Sequence, residues 1–252
     1  MNRLELIGLE GLGEIRPGDS VGNSICDACF RQDVHLQNDD LVVVAQKIVS
    51  KAAGQVVYLD DIQPSARALE LAQELDKEPA LVEVILRESR RVVRTGGRAL
   101  IVETHHGFIC ANAGVDQSNV GQRKVTLLPK DPDGSARGIR SEIQQRTGKT
   151  PGVIISDSFG RPWRIGTVDV AIGIAGLTAI KDERGMIDRY GYQLKAAVAA
   201  VADEIAAAAE LVMGKRKGVP VVVVRGYEME KKEDGSAKEL LRPEAEDLFR
   251  HF

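Results

Sequence analysis

Short apolar runs rich in valine and isoleucine recur along the chain, separated by polar or glycine-containing turns. Runs of this kind are typical of buried strands. We therefore predict strands at residues 4–9, 40–45, 99–103, 108–111, 125–128, 152–155, 168–175 and 219–224.

Other stretches have apolar residues at helical spacing. Pro64 and Ser65 form a start signal for a helix at 66–75, and Pro79 opens another. Helices are also predicted at 136–146 and, rich in alanine, at 194–213, where Gly214 ends the helix. Because strands and helices alternate irregularly, we expect an α+β (mixed α/β) fold with irregular mixed sheets and flanking helices. We expect one domain over 1–252, with two intertwined subdomains as the alternative.

The bulk composition narrows the class of protein. The chain has 252 residues, of which 43% are hydrophobic, enough for a substantial core. A net charge of -3 offers no basic field for nucleic acid. No apolar run reaches the ~20 residues of a membrane helix. The amino terminus lacks the apolar segment of a signal peptide, so we expect a cytoplasmic protein without membrane or nucleic-acid partners.

Two motifs suggest metal or redox chemistry only weakly. Cys26 and Cys29 have the spacing of half a zinc site, but Cys110 and His35 supply no second pair. We interpret the first two as ordinary thiols on a helical segment. The pair at residues 105–106 precedes Gly107 between two predicted strands, which indicates a hairpin turn.

The strand at 152–155 is followed by an unusual set of polar residues. Asp157 and Ser158 suit a divalent cation, and Arg161 and Arg164 suit phosphate or carboxylate. Trp163, the only tryptophan, lies between the arginines. We expect these groups on a loop at the carboxyl end of the strand, where open sheets bind ligands. The alternative is a surface loop with an Arg–Asp ion pair.

A second acidic loop has the same design. Asp116 follows a predicted strand and is close in sequence to Ser118 and Asn119, so the two loops could share a magnesium or manganese ion completed by nucleotide phosphates. Lys51 is a candidate for neutralising phosphate charge; a solvated lysine is an equally good reading of its spacing. The chain contains no Walker loop and no G-x-G-x-x-G after a strand.

Five segments, spread over nearly the whole chain, together resemble the coenzyme F(420)-0:L-glutamate ligase family. They are AQKIVSKA at 45–52, NAGVDQSNV at 112–120, LPKDPDGSA at 128–136, IISDSFGRPWRIG at 154–166 and PVVVVRG at 220–226. The resemblance implies a GTP-dependent ligase that adds L-glutamate to the lactyl phosphodiester end of a deazaflavin coenzyme precursor, then extends a γ-linked tail. It also implies two divalent cations (Mg²⁺ or Mn²⁺) per subunit, a potassium ion, a homodimer and a glutamyl-ligase-type fold.

Matched position by position, the resemblance assigns roles to residues of this chain. Asp116 and Asp157 would be metal-binding and catalytic, with Ser158 as the adjacent hydroxyl ligand, and we expect Arg161 and Arg164 to hold phosphate or an acidic substrate. Guanine-nucleotide contacts would fall on Leu12, Gly13, Glu14, Ile15, Gln46, Lys51, Asn119 and the stretch 211–218, which includes Met213, Gly214 and Gly218.

Some positions depart from the family pattern. The family usually has other residues at Ala53 and at the pair Tyr192 and Gln193. The differences could mean a changed acceptor pocket or a swapped salt bridge. Lys215 lies where the family tends to have a polar or acidic side chain near the second metal. A protonated lysine cannot be a metal ligand, so reduced metal occupancy, a different bound anion and three solvated charges at 215–217 are all open readings. A ligase for another acceptor, such as a folate, and a non-catalytic nucleotide-binding module remain the rival functions.

Overall fold

The computed structural model describes residues 3–248. Its α-helices are α1 (Val21–Arg31), α2 (Gln46–Ala52), α3 (Ala66–Leu75), α4 (Pro79–Arg87), α5 (Pro132–Thr147) and α6 (Val201–Met213). Its strands are β1 (Glu5–Leu9), β2 (Leu41–Ala45), β3 (Val56–Tyr58), β4 (Ser89–Gly96), β5 (Ala99–Thr104), β6 (Ile109–Ala111), β7 (Lys124–Thr126), β8 (Gly152–Arg161), β9 (Arg164–Ala175), β10 (Lys181–Asp182), β11 (Val198–Ala199) and β12 (Val221–Arg225).

The main sheet has five strands in the order β1-β12-β2-β8-β9. The β2–β8 pair is parallel and the other pairs are antiparallel. Smaller sheets pair β4, β5 and β6, β3 with β7, and β10 with β11. The predicted α+β fold with irregular mixed sheets is therefore confirmed.

Both faces of the main sheet are buried. In β2, Val42 and Val44 belong to the core on the side of α1 and α5, whereas Leu41 and Val43 belong to the core on the side of α6. Successive side chains of a strand point to opposite faces, so a strand covered on both sides is apolar throughout. This burial explains the uninterrupted apolar run at residues 41–45.

A second packed region lies outside the main sheet. Its core joins α3 and α4 to the β4–β5–β6 sheet, and a further cluster joins α4 to the β3–β7 pair. Ser65 caps α3, accepting a hydrogen bond from the Ala68 N–H, as its position before the helix predicts. The two regions have separate apolar clusters; the single-domain assignment remains a prediction.

The boundaries of four predicted elements were wrong by about four residues or more. One of them, the helix predicted at 136–146, begins already at Pro132, with Asp131 as its cap. The strand predicted at 152–155 continues to Arg161, and the strand predicted at 168–175 begins already at Arg164, so β8 and β9 form one long hairpin. The segment after Ile155 is therefore strand, where we had expected a loop. The helix predicted at 194–213 begins only at Val201, because Val198 and Ala199 pair with β10.

The cysteine pair lies on a helix and the histidine pair in a hairpin turn, as we predicted. Cys26 and Cys29 are buried, unpaired thiols on α1, and burial raises the pKa of Cys29 to about 11. His105 and His106 lie in the turn between β5 and β6, where the Gly107 N–H donates to the Thr104 carbonyl.

Candidate active site

A cavity of about 760 Å³ lies where the amino-terminal segment, α2, the loop after β6, the β8–β9 hairpin and the end of α6 meet. That volume is typical of sites for small molecules. Most of the residues predicted for the site line it: Leu12, Gly13, Glu14, Gln46, Lys51, Asp116, Asn119, Asp157, Ser158, Met213, Gly214 and Gly218. Ile15, from the same set, is buried with 5% exposure.

Asp157 has the most perturbed carboxyl group in the cavity. Burial raises its pKa to about 7, and the nearby charges of Asp169 and Asp116 act in the same direction. A hydrogen bond from the Ser158 backbone N–H and the charge of Lys215 only partly offset these effects. Three carboxylates close enough to repel one another favour the binding of a cation between them.

Asp116 is held by a lysine that sequence reasoning missed. The Lys47 Nζ lies 2.7 Å from the Asp116 Oδ2 and also donates to the Ser118 carbonyl. Burial acts to raise the pKa of Asp116, but the hydrogen bonds from Lys47 and Ser118 outweigh it and lower that pKa. Lys47 and Lys51 are one turn apart on α2, so both amines reach the cavity.

The loop that carries Asp116 has an unusual backbone. Asn112, Ala113 and Gly114 all have positive φ angles, of 54°, 55° and 68°. A Cβ atom at Gly114 would lie 2.7 Å from the side chain of Leu128, so only glycine fits there. Strained backbone of this kind is concentrated at functional sites, where the surrounding packing maintains it.

Asp169 is a second residue that sequence reasoning missed. Its carboxylate, on β9, is 5% exposed and accepts hydrogen bonds from the hydroxyls of Ser156 and Ser158. An aspartate flanked by valines within an otherwise apolar strand was the available signal. Lys215 also lines the cavity, and its ammonium group donates to the Ser158 Oγ and lies 3.5 Å from the Asp169 Oδ1.

Lys51, which we predicted to neutralise phosphate charge, forms an ion pair in the cavity. The Lys51 Nζ lies 2.6 Å from the Glu14 Oε1, and only 12% of the lysine side chain is exposed. The adjacent Gln46 is buried and accepts a hydrogen bond from Ser50. Lys51 is therefore a positioned cavity residue, which argues against a solvated lysine.

The two predicted arginines do not line this cavity. Arg161 and Arg164 pair with each other across the end of the β8–β9 hairpin and are exposed, with Pro162 and Trp163 as the turn between them. Trp163 is 82% exposed, so it does not pack the site. We had placed the arginines beside Asp157 because we expected a loop there; the continuing strand carries them away from it.

The cavity residues fit one divalent cation at Asp116 and Asp157, but they fit a second cation at Ser158 poorly. No group of three His, Cys, Asp or Glu side chains within residues 3–248 forms a metal site by itself. Magnesium is commonly held by one or two carboxylates, completed by water and phosphate oxygens, which Asp116 and Asp157 could provide. The Ser158 hydroxyl, by contrast, donates to Asp169 and accepts from Lys215.

Comparisons with known proteins agree with the family resemblance of the five sequence segments. A sequence model described as F420-0:Gamma-glutamyl ligase matches residues 11–226. The chain is 47% identical to the coenzyme F420:L-glutamate ligase of Methanothermobacter thermautotrophicus, over 98% of this chain and 99% of the relative. It is 43% identical to that of Methanocaldococcus jannaschii, over 99% and 98%, and 42% identical to that of Methanopyrus kandleri, over 98% and 97%. None of the helices within residues 3–248 is long and apolar enough to cross a membrane.

Proposed function

The chain belongs to the F420-0:gamma-glutamyl ligase family, and we propose that it uses GTP to ligate L-glutamate to the deazaflavin coenzyme precursor F420-0 and then extends a γ-linked tail. One observation carries the proposal. Segments that together span more than a hundred residues of the chain bring Lys51, Asp116 and Asp157 to one cavity of about 760 Å³. The names of relatives that align over nearly the full chain supply the reaction.

The proposed reaction has two balanced steps. A carboxylate oxygen of the acceptor attacks the γ-phosphorus of GTP, the bond to the bridging oxygen breaks, and GDP leaves with that electron pair. The amine of glutamate then attacks the acyl carbon, and inorganic phosphate departs as the amide forms and the amine loses a proton. Catalysis of the first step depends mainly on positioning and on neutralising phosphate charge.

The amino-terminal segment and α2 would bind the nucleotide. Gly13 has a positive φ of 76° and no atom within 4 Å of the position of a Cβ, so its backbone can approach phosphate closely. The ion pair with Glu14 holds the Lys51 amine in the cavity, where the amine can instead pair with a phosphate oxygen. Asn119 and the end of α6, around Met213, Gly214 and Gly218, would complete the nucleotide site.

Asp116 and Asp157 would hold the divalent cation, Mg²⁺ or Mn²⁺. A bound cation would draw charge from the phosphate oxygens during transfer. Lys47 orients Asp116 through a direct ion pair. Burial raises the pKa of Asp157, and a bound cation would stabilise its ionised form. The potassium ion that the resemblance implies has no assigned ligands, and its role would be tested by omitting it from the assay.

A homodimer is part of the proposal. Ile165, at the end of the β8–β9 hairpin, is fully exposed, and Ile187, Tyr190 and Tyr192 are exposed in the segment between β10 and β11. We place the dimer interface at these residues because burial of exposed apolar side chains stabilises an association. The three free cysteines fit a reducing compartment such as the cytoplasm.

Mass spectrometry of the products tests the proposed function. Purified protein is incubated with F420-0, L-glutamate, GTP, Mg²⁺ and K⁺, and we expect products that increase by one glutamate residue at a time, with GDP and phosphate released. Parallel reactions replace F420-0 by a folate and GTP by ATP. Nucleotide binding without any glutamyl product would favour the non-catalytic module, and product with folate alone would favour the other acceptor.

A further inference from the structure

The charged groups in the cavity are unequally paired. Asp116 has Lys47 as its ion-pair partner, and Asp169 has Lys215. Asp157, whose carboxylate is repelled by both of these aspartates, has no ion-pair partner within residues 3–248. Asp157 is therefore open to a cation, and the Asp116 Oδ1, which Lys47 does not contact, can share it. Both oxygens of Asp169, by contrast, already accept from serine hydroxyls, and Lys215 lies beside one of them.

The backbone directs Lys215 into the cavity. Lys215 follows Gly214, which ends α6, and its loop closes at Gly218. Gly214 and Gly218 have positive φ angles of 54° and 69°. The amine lies 3.7 Å from the Glu210 Oε1, one helical turn earlier, and 3.5 Å from the Asp169 Oδ1. A cation at the carboxyl end of a helix also interacts favourably with the helix dipole.

Lys215 uses the oxygens that a second metal ion would need. Its ammonium group donates to the Ser158 Oγ, and the same hydroxyl donates to Asp169. A protonated amine has no lone pair to offer a metal, and it repels a divalent cation placed at the same oxygens. The side chain is 62% exposed, so charge pairing with buried Asp169 holds it there more than packing does.

We propose that Lys215 acts as a tethered cation that replaces one of two metal ions, so that each chain binds one divalent cation, at Asp116 and Asp157. The inference rests on the proposed function only in taking these aspartates as the metal site. It departs from the two divalent cations that the family resemblance implies. Lys215 would then be a positioning residue that supplies a fixed positive charge beside Ser158.

Counting bound Mn²⁺ tests this proposal without relying on activity. The wild-type protein is dialysed with Mn²⁺ and GDP, and bound metal is measured by elemental analysis and by electron paramagnetic resonance. We expect about one ion per chain, because one carboxylate site is open, and about two in Lys215→Gln, which frees Ser158 and Asp169. A spin-coupled Mn²⁺ pair should appear in that variant alone.

Two further variants control for charge and folding. Lys217→Gln removes the same charge from the same loop, two residues away, and should bind one ion like the wild type. Lys215→Arg keeps the positive charge and should also bind one. Thermal unfolding of Lys215→Gln checks that the variant is folded before its metal is counted.

The outcomes separate the two proposals. Two ions per wild-type chain, or one ion in folded Lys215→Gln, would overturn the role of Lys215. If either result accompanies glutamyl products in the mass spectra, the proposed function stands and this inference alone fails. One ion in the wild type and two in Lys215→Gln, with no glutamyl product, would support the role of Lys215 and contradict the proposed function.

Discussion

At the scale of single residues, Asp157 combines a proposed role in metal binding with a cost to the stability of the folded state. Its pKa is raised to about 7 by burial and by the charges of Asp169 and Asp116. A carboxyl with a raised pKa in the folded state stabilises it below the pKa of the unfolded chain, and this contribution disappears as pH rises through the folded pKa. Without metal, the ionised carboxylate therefore destabilises the protein at alkaline pH.

Asp157→Asn should consequently stabilise the metal-free protein while abolishing GTP turnover. At pH 8 in the presence of a chelator, we expect a gain of about 1 to 2 kcal/mol, or several degrees in the unfolding temperature. The gain should shrink as pH falls from about 7 towards 4, where the wild-type carboxyl becomes protonated. Differential scanning calorimetry across this pH range measures the effect.

Glu228→Gln is the matched control, because it also removes one carboxylate, but from an exposed position outside the cavity. Its unfolding temperature should stay within about one degree of the wild type, as for most surface changes. Full GTP turnover in Asp157→Asn would remove this residue from the metal site. An unfolding temperature that falls at pH 8 would show that ionised Asp157 stabilises the metal-free fold.

The sequence pointed to part of this site for identifiable reasons. Asp116, Asp157 and Lys51 come after apolar runs within distinctive strings, so composition and order revealed them. Lys47 and Asp169 did not stand out, because a lysine on a helix and a carboxylate in a strand acquire meaning only when packing shows what they face. Lys215 departs from the family pattern in the sequence, but only its contacts with Ser158 and Asp169 show where its charge lies.

At the scale of elements, the β8–β9 hairpin was the main error of sequence reasoning. The apolar signal ends at Ile155, yet strand pairing continues to Arg161 because β9 supplies the partner backbone groups. Local pattern detects burial, whereas hydrogen bonding between strands continues past the buried part. Strands buried on both faces and the capped helix α3 were predicted well, since their signals are local.

The exposed end of this hairpin leads to a prediction about assembly. Ile165→Ser should weaken the homodimer at least tenfold, roughly 1.4 kcal/mol or more, because a fully exposed isoleucine gains by burial at an interface. Multi-angle light scattering over a range of concentrations measures the change. Phe30→Ser, which removes an 88% exposed aromatic ring from α1, should leave the dimer intact. A monomeric wild-type protein, or equal masses for all three proteins, would contradict this role of the hairpin.

At the scale of the whole molecule, the fold brings segments that are distant in sequence to one cavity beside the main sheet. The amino-terminal segment, α2, the loop at Asp116, the β8–β9 hairpin and the end of α6 each contribute charged or glycine residues. Sequence reasoning recognised the family because its strings span the chain, but their convergence depends on the order β1-β12-β2-β8-β9, which no single string encodes.

The acyl-phosphate route is the central claim, and an oxygen-transfer measurement tests it most directly. F420-0 carrying ¹⁸O in both oxygens of its acceptor carboxylate is incubated with the protein, L-glutamate, GTP and Mg²⁺, and the released phosphate is analysed by mass spectrometry. Because the carboxylate oxygen attacks the γ-phosphorus and leaves with it, each phosphate should carry one ¹⁸O atom while the amide retains the other. Unlabelled phosphate accompanying glutamyl product would contradict the route.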